Sequence, residues 1–187
     1  MSDLMVGMRK TRIAAVSALA IAGVMLAGCG TPGGGGQGEP TSDGSGSNPL
    51  ASFDPCTALT PEEIRSFGGD PNGEPASGSS KEEGCDYQGE KFMFGVLKGM
   101  DSDEAYWEQR KNSFDVFTPN QVGSHKGFTG IALSGKGQGV CRQMMYLGSG
   151  SVIVDVTYSS NTIPGSDEET CAQATEIAQV VEKKLPQ

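Results

Sequence analysis

Gly30 to Pro49 is built from Gly, Ser, Thr, Pro, Gln and Asn with two acids, and it carries no large apolar side chain. Such a stretch cannot bury enough surface to offset the entropy lost on ordering it. It confines folding to the segment from Leu50 to Gln187. Those 138 residues are one domain's worth and enough for a sizeable core.

The polar stretch comes after a cysteine that no fold could hold, Cys29. Arg9, Lys10 and Arg12 form a positive flank, and an uncharged run of small and apolar residues reaches from Ile13 to Gly28. That run is shorter than the ~20 residues a spanning helix needs, and it has the layout of an export signal. Leu26, Ala27, Gly28 and Cys29 resemble the lipobox of bacterial lipoproteins, in which the cysteine sulfur is acylated and the chain is cut just before it. The resemblance implies a signal peptide over 1–28, a lipidated Cys29 opening a tether over 29–49, and a globular domain over 50–187. Acyl chains, palmitate among them, would hold the protein on the extracytoplasmic face of the plasma membrane, at about 0.8 kcal/mol per buried methylene. A flexible tether of this length sets the domain roughly 25 Å from the bilayer.

The whole chain has 14 Lys and Arg against 23 Asp and Glu. The three cations and one acid of residues 1–28 leave 11 basic against 22 acidic residues, a net charge of −11. Such a surface repels phosphate backbones and anionic headgroups, which argues against nucleic acid as a partner. With Cys29 set apart, Cys56, Cys85, Cys141 and Cys171 make an even number in an exported chain and predict two disulfides. A thiolate metal site would favour close pairs, and here the nearest two are 29 positions apart.

Three helix starts share a cap with an acid three residues later: Thr60 to Glu63, Asp101 to Glu104 and Ser166 to Glu169. The first helix is short and ends at Gly68 and Gly69. The second is predicted to run through Trp107 and Phe114 until Pro119 stops it. In the third, Ala174, Ile177, Ala178, Val181 and Leu185 recur at helical spacing. Between helices the period becomes two. Strands are predicted at Cys85 to Gln88, Phe92 to Val96, Phe128 to Leu133, Val140 to Leu147 and Val152 to Tyr158. Consecutive hairpins favour an α+β fold, a mostly antiparallel sheet of about five strands with helices packed on one face and disulfides as staples. With Cys56 and Cys171 beside helix starts and Cys85 and Cys141 opening strands, this layout suggests the pairs 56–171 and 85–141.

Phe53-Asp54-Pro55-Cys56, Leu59 to Glu63, Cys85-Asp86-Tyr87, and Cys171 with Ala174 in a closing helix complete a wider pattern. Together with the lipobox and tether, the chain resembles the actinobacterial lipoproteins of the domain of unknown function family 3558. Tyr87 stands where Trp often comes after the Cys-Asp pair. The resemblance implies an envelope location and a disulfide-stapled α+β domain, and it transfers no catalytic residue.

Motifs for chemistry are sparse. The run GIALSGK from Gly130 to Lys136 matches seven positions of a phosphate-binding loop but has Gly137 where Ser or Thr would hold magnesium, and it reads as a hairpin turn. His125 is the sole histidine, and no Gly-x-Ser-x-Gly elbow accompanies it. The acid pairs Glu62-Glu63 and Asp167 to Glu169 are accounted for by capping. Met144 and Met145 face opposite sides of a strand and cannot chelate together. No cofactor, metal site or catalytic set is expected. The expected role is a non-enzymatic one: binding an envelope protein, or an apolar small molecule or lipid in a groove between sheet and helices. A hydrolase of envelope polymers is the alternative. Tyr106, Trp107, Phe114 and Phe117 mix aromatic rings with nearby charges and are the expected binding residues.

Overall fold

A computed structural model describes residues 48–76 and 81–186. The expected signal peptide, Cys29 and residues 30–47 of the expected 29–49 tether lie outside the described residues, while its last two, Asn48 and Pro49, belong to the fold. The described chain begins with Asn48, whose side chain accepts from the Leu50 N–H and donates to the Met100 carbonyl, pinning a 3-10 turn at Pro49–Ser52. A second such turn, Pro55–Thr57, precedes helix α1 (Pro61–Ser66), where Thr60 and Glu63 form the full reciprocal capping box. Strands β1 (Glu74–Ala76), β2 (Glu82–Gln88) and β3 (Phe92–Gly99) come next, then α2 (Glu104–Glu108). Strands β4 (Phe114–Val122), β5 (His125–Ala132), β6 (Val140–Leu147) and β7 (Gly150–Tyr158) lead into α3 (Asp167–Glu182).

The strands form one antiparallel sheet in the order β1-β2-β3-β7-β6-β5-β4, seven strands where about five were expected. Strand β7 lies at its centre, and its alternation separates the two cores. Val152, Val154 and Val156 face α3 together with Phe94, Val96, Ala174, Ile177, Ala178 and Val181. Ile153, one residue out of phase, joins Leu97, Phe128, Met144 and Trp107 on the opposite face. Met145 and Met144 likewise serve opposite cores, both fully buried. The long helix packs on one face, α3 lying across β6 and β7, while the opposite face receives the Trp107 side chain of the short α2.

The disulfides are Cys56–Cys85 and Cys141–Cys171, which corrects the expected pairs. Cys85 on β2 and Cys141 on β6 are separated by β3 and β7. Three strand spacings of about 4.8 Å put them far beyond a disulfide's reach. Each strand cysteine instead meets the residue packed directly over its own strand, at Cα separations of 5.0 and 5.2 Å.

The middle of the chain departs most from expectation. Asp103, not Asp101, caps α2, and Ser102 is buried between the Gly99 carbonyl and Ser151 Oγ. The helix ends at Glu108, and residues from Phe114 onward form an edge strand in place of more helix. Pro119 is tolerated there because an edge strand has ladder bonds on one side only. Tertiary contacts hold this strand: Asn120 and Gln143 bond reciprocally at 2.8 and 2.9 Å, and Thr129 and Thr175 donate to the same Gln143 oxygen. Gln143 is fully buried, and this network ties β4, β5, β6 and α3 together.

Candidate functional site

The four expected binding residues converge but not as an exposed patch. Trp107 is 7% exposed, and Phe114 and Phe117 on β4 pack with it around the fully buried Phe128. Phe117 stacks on Phe128 at 4.0 Å between centroids, Phe114 meets it edge-on at 5.3 Å, and Trp107 lies 5.9 Å from it. The indole N–H of Trp107 donates to Ser151 Oγ at 3.3 Å, so its polar end is satisfied inside. Tyr106 is the outermost ring, with the Arg110 guanidinium 3.7 Å above it. Trp107 belongs to the second core, and the other three rings are partly buried against it.

Beside this core, the sheet face carries a row of charges that the sequence pattern concealed. Arg142 on β6 donates to Asp155 on β7 at 2.8 Å and to Glu82 on β2 at 3.4 Å. Asp86 reaches over Gly95, where a Cβ would collide with its carboxylate. Burial pushes the carboxyls of Glu82, Asp86 and Asp155 above the ordinary range, and Asp155 adds to the shift of Asp86. Asp155 Oδ1 is buried without a hydrogen-bond partner among the described residues. With raised native values, these groups lend stability in full below the ordinary carboxyl range near pH ~4 and lose it as pH rises through the native values. The unfolding free energy is therefore expected to carry a downward slope above that range that Asp155→Asn flattens. Arg142→Met, which strips the cation from a largely buried cluster, is expected to cost about 3 kcal/mol at neutral pH. Denaturant titrations from pH 4 to 8 on the three proteins check both; an unchanged slope in Asp155→Asn would assign it elsewhere.

His125 has more partners than its sequence context suggested. Its Nδ1 lies 3.0 Å from Glu182 Oε1 and 3.3 Å from Ser124 Oγ, and the same Glu182 oxygen accepts from the backbone and hydroxyl of Ser124. Hydrogen bonds from Ser124 and His125 hold the Glu182 carboxyl below its usual range. A nucleophile relay needs Ser and acid on opposite nitrogens of the imidazole, whereas both meet Nδ1 here. The trio instead fastens the β4–β5 turn to the C-terminal end of α3, and Gly123, at φ +56°, leaves the room that Glu182 occupies. The GIALSGK run forms the end of β5 and a turn with Ser134 at φ +67°, not a strand opening a helix. Among the described residues no three His, Cys, Asp or Glu side chains are grouped so as to hold a metal ion.

A groove of about 540 Å³ opens between the helices and the sheet. One wall is the end of α1 and its exit, Arg65 to Gly69, and the other is Glu90 to Phe92 of the β2–β3 turn. The backbone N–H of Asp70 donates to the Gln88 carbonyl at 2.7 Å, and Gly69 bridges to Gly89, which fixes the distance between these walls. Phe92, largely buried, and Tyr158 border it with ring centroids 4.9 Å apart, and Gln173 of α3 completes the lining. Burial raises the Tyr158 phenol above its ordinary value, with Glu169 adding to the shift.

None of these groove residues stood out in the sequence. Phe92 and Tyr158 were legible as strand residues, but their meeting with Arg65 and Gln173 depends on the order in which strands pair. No helix among the described residues is long and apolar enough to cross a membrane. No curated protein and no solved structure matches the chain. The family model described as "Protein of unknown function (DUF3558)" matches residues 24–184, nearly the whole chain and all of the fold described above, and the protein belongs to that family.

Proposed function

We propose that this protein is an exported lipoprotein, anchored on the extracytoplasmic face of the plasma membrane through acyl chains on Cys29, whose domain binds a ligand and catalyses no reaction. The anchor reading rests on the lipobox resemblance at Leu26 to Cys29 and on the tether behind it. Two disulfides within one domain agree with an oxidising compartment. The observation that carries the binding reading is the groove between α1, the β2–β3 turn and α3, an open hollow of about 540 Å³ bordered by aromatic and cationic side chains. It favours a small ligand over a protein partner, because Trp107 is buried and Tyr106, Phe114 and Phe117 are partly buried against the same cluster.

Cys29→Ala is expected to abolish labelling by an alkyne analogue of palmitate and the cut before residue 29, leaving the longer uncut chain. A variant that stays labelled overturns the anchor. Native mass spectrometry of the detergent-extracted protein is expected to retain a bound small molecule; extraction with neither a ligand nor a crosslinked partner argues against the binding role.

A further inference from the structure

We infer that the groove takes a small amphiphile carrying an oxyanion, its flat apolar body laid on Phe92 and Tyr158 and its carboxylate or phosphate held between Arg65 and Lys91. This rests on the reading of the domain as a binding module and adds the chemistry of its ligand.

Charge is the first argument. In a chain of net charge −9, cations outnumber acids in the lining of this groove: Arg65 and Lys91 against Glu90. Four other hollows of the described surface are neutral or acidic: one pairs Arg142 with Asp155, one holds Asp103, Glu104 and Glu108, one Asp86 and Asp155, and one Asp54 and Glu83 against Lys98. An anion thus meets an excess of cations in the lining here and in none of those four hollows.

The state of the two cations is the second. Most other lining charges are already engaged, as in the Arg142 and Asp155 pair at 2.8 Å and the Lys98 and Glu83 pair at 3.5 Å. Arg65 has only the exposed Glu62 at 3.8 Å, and Lys91 takes part in none of the ion pairs among the described residues. Both are exposed and can swing onto a ligand without breaking internal bonds. The Lys91 carbonyl accepts from the Ser159 N–H, so its backbone is fixed while its ammonium is free.

The aromatic lining supplies the third. The Phe92 and Tyr158 rings pack against each other at 4.9 Å with a tilt of 38°, Tyr158 half-buried and Phe92 largely buried, and half-buried Phe67 borders the groove on the α1 side. A planar or acyl body gains apolar contact there that an inorganic anion lacks.

The test is titration calorimetry of the full-length protein, in one neutral detergent throughout, with 2-naphthyl phosphate, 2-naphthoate and inorganic phosphate. Both naphthyl compounds are expected to bind, and inorganic phosphate at least tenfold more weakly. Lys91→Gln and Arg65→Gln are each expected to weaken naphthyl binding about tenfold, the scale of one charge-assisted hydrogen bond. Glu90→Gln is expected to tighten it, and a stronger preference for phosphate over naphthoate would distinguish a phosphoryl ligand from a carboxylate. All three substituted residues are exposed, so melting temperatures should stay at the wild-type value. Affinity unchanged in the Arg65→Gln/Lys91→Gln double variant, or inorganic phosphate binding as tightly as the naphthyl compounds, overturns the proposal. So does absence of naphthyl binding; if a native ligand still co-purifies in that case, the binding module stands and only the ligand chemistry falls.

Discussion

Replacing Cys141 and Cys171 together by Ala is expected to lower the unfolding free energy by about 3–4 kcal/mol, the chain-entropy value for a loop of their separation. The bridge closes 30 residues and clamps the second turn of α3 onto β6. Its loss also loosens Gln173, two residues further along α3 at the end of the groove, so ligand affinity should fall with stability. Cys56–Cys85 closes 29 residues and clamps the turn before α1 onto β2, at the root of the other wall. Chemical denaturation of the double variant under oxidising conditions measures the first effect. Non-reducing tryptic mapping checks the pairing, with Cys56 expected to run with Cys85 and Cys141 with Cys171. A map joining Cys85 to Cys141 would contradict the strand order itself, because β3 and β7 lie between them.

Trp107→Ala is expected to cost about 3–5 kcal/mol, the penalty for emptying a large core site whose walls cannot collapse. Those walls are Phe128, Met144, Leu97 and Ile153, on the four neighbouring strands β5, β6, β3 and β7, with Phe114 edge-on at 6.0 Å. The hydrogen bond from the indole to Ser151 goes too, leaving the buried Ser151 Oγ with Ser102 as its remaining side-chain partner. Circular dichroism on denaturant titration reads the loss, and iodide quenching of the wild-type protein should find its single tryptophan shielded. A readily quenched Trp107 whose removal leaves stability intact would return this region to the role of a contact surface.

Much of the fold was legible because it depends on local rules. The capping box at Thr60 and Glu63 is present with both bonds, and Ser166 caps α3 as its spacing predicts. Ala174, Ile177, Ala178 and Val181 face the core as the helical period requires. The hairpins at Gly89-Glu90, Gly135 to Gly139 and Gly148 to Gly150 arise from glycine-rich turns between alternating runs. The stretch after α2 was misread because its apolar residues suit either period. What makes Phe114–Val122 a strand is pairing with β5 and the amide exchange between Asn120 and Gln143, contacts made across 23 positions. β1 was missed because three residues, Glu74 to Ala76, carry no periodicity.

The sequence by itself determined which residues cap the first and last helices, which faces of β7 and α3 are apolar, and that four cysteines are available to pair. All of these depend on neighbours within a turn or two, where side-chain chemistry acts directly on the backbone. Only the tertiary structure decided which cysteines meet, which charges share the face with Arg142, and that Arg65, Lys91 and Tyr158 border one groove. Each of those results from the placing of β7 between β3 and β6, a long-range pairing selected by the fit of two whole core faces and written in no single segment.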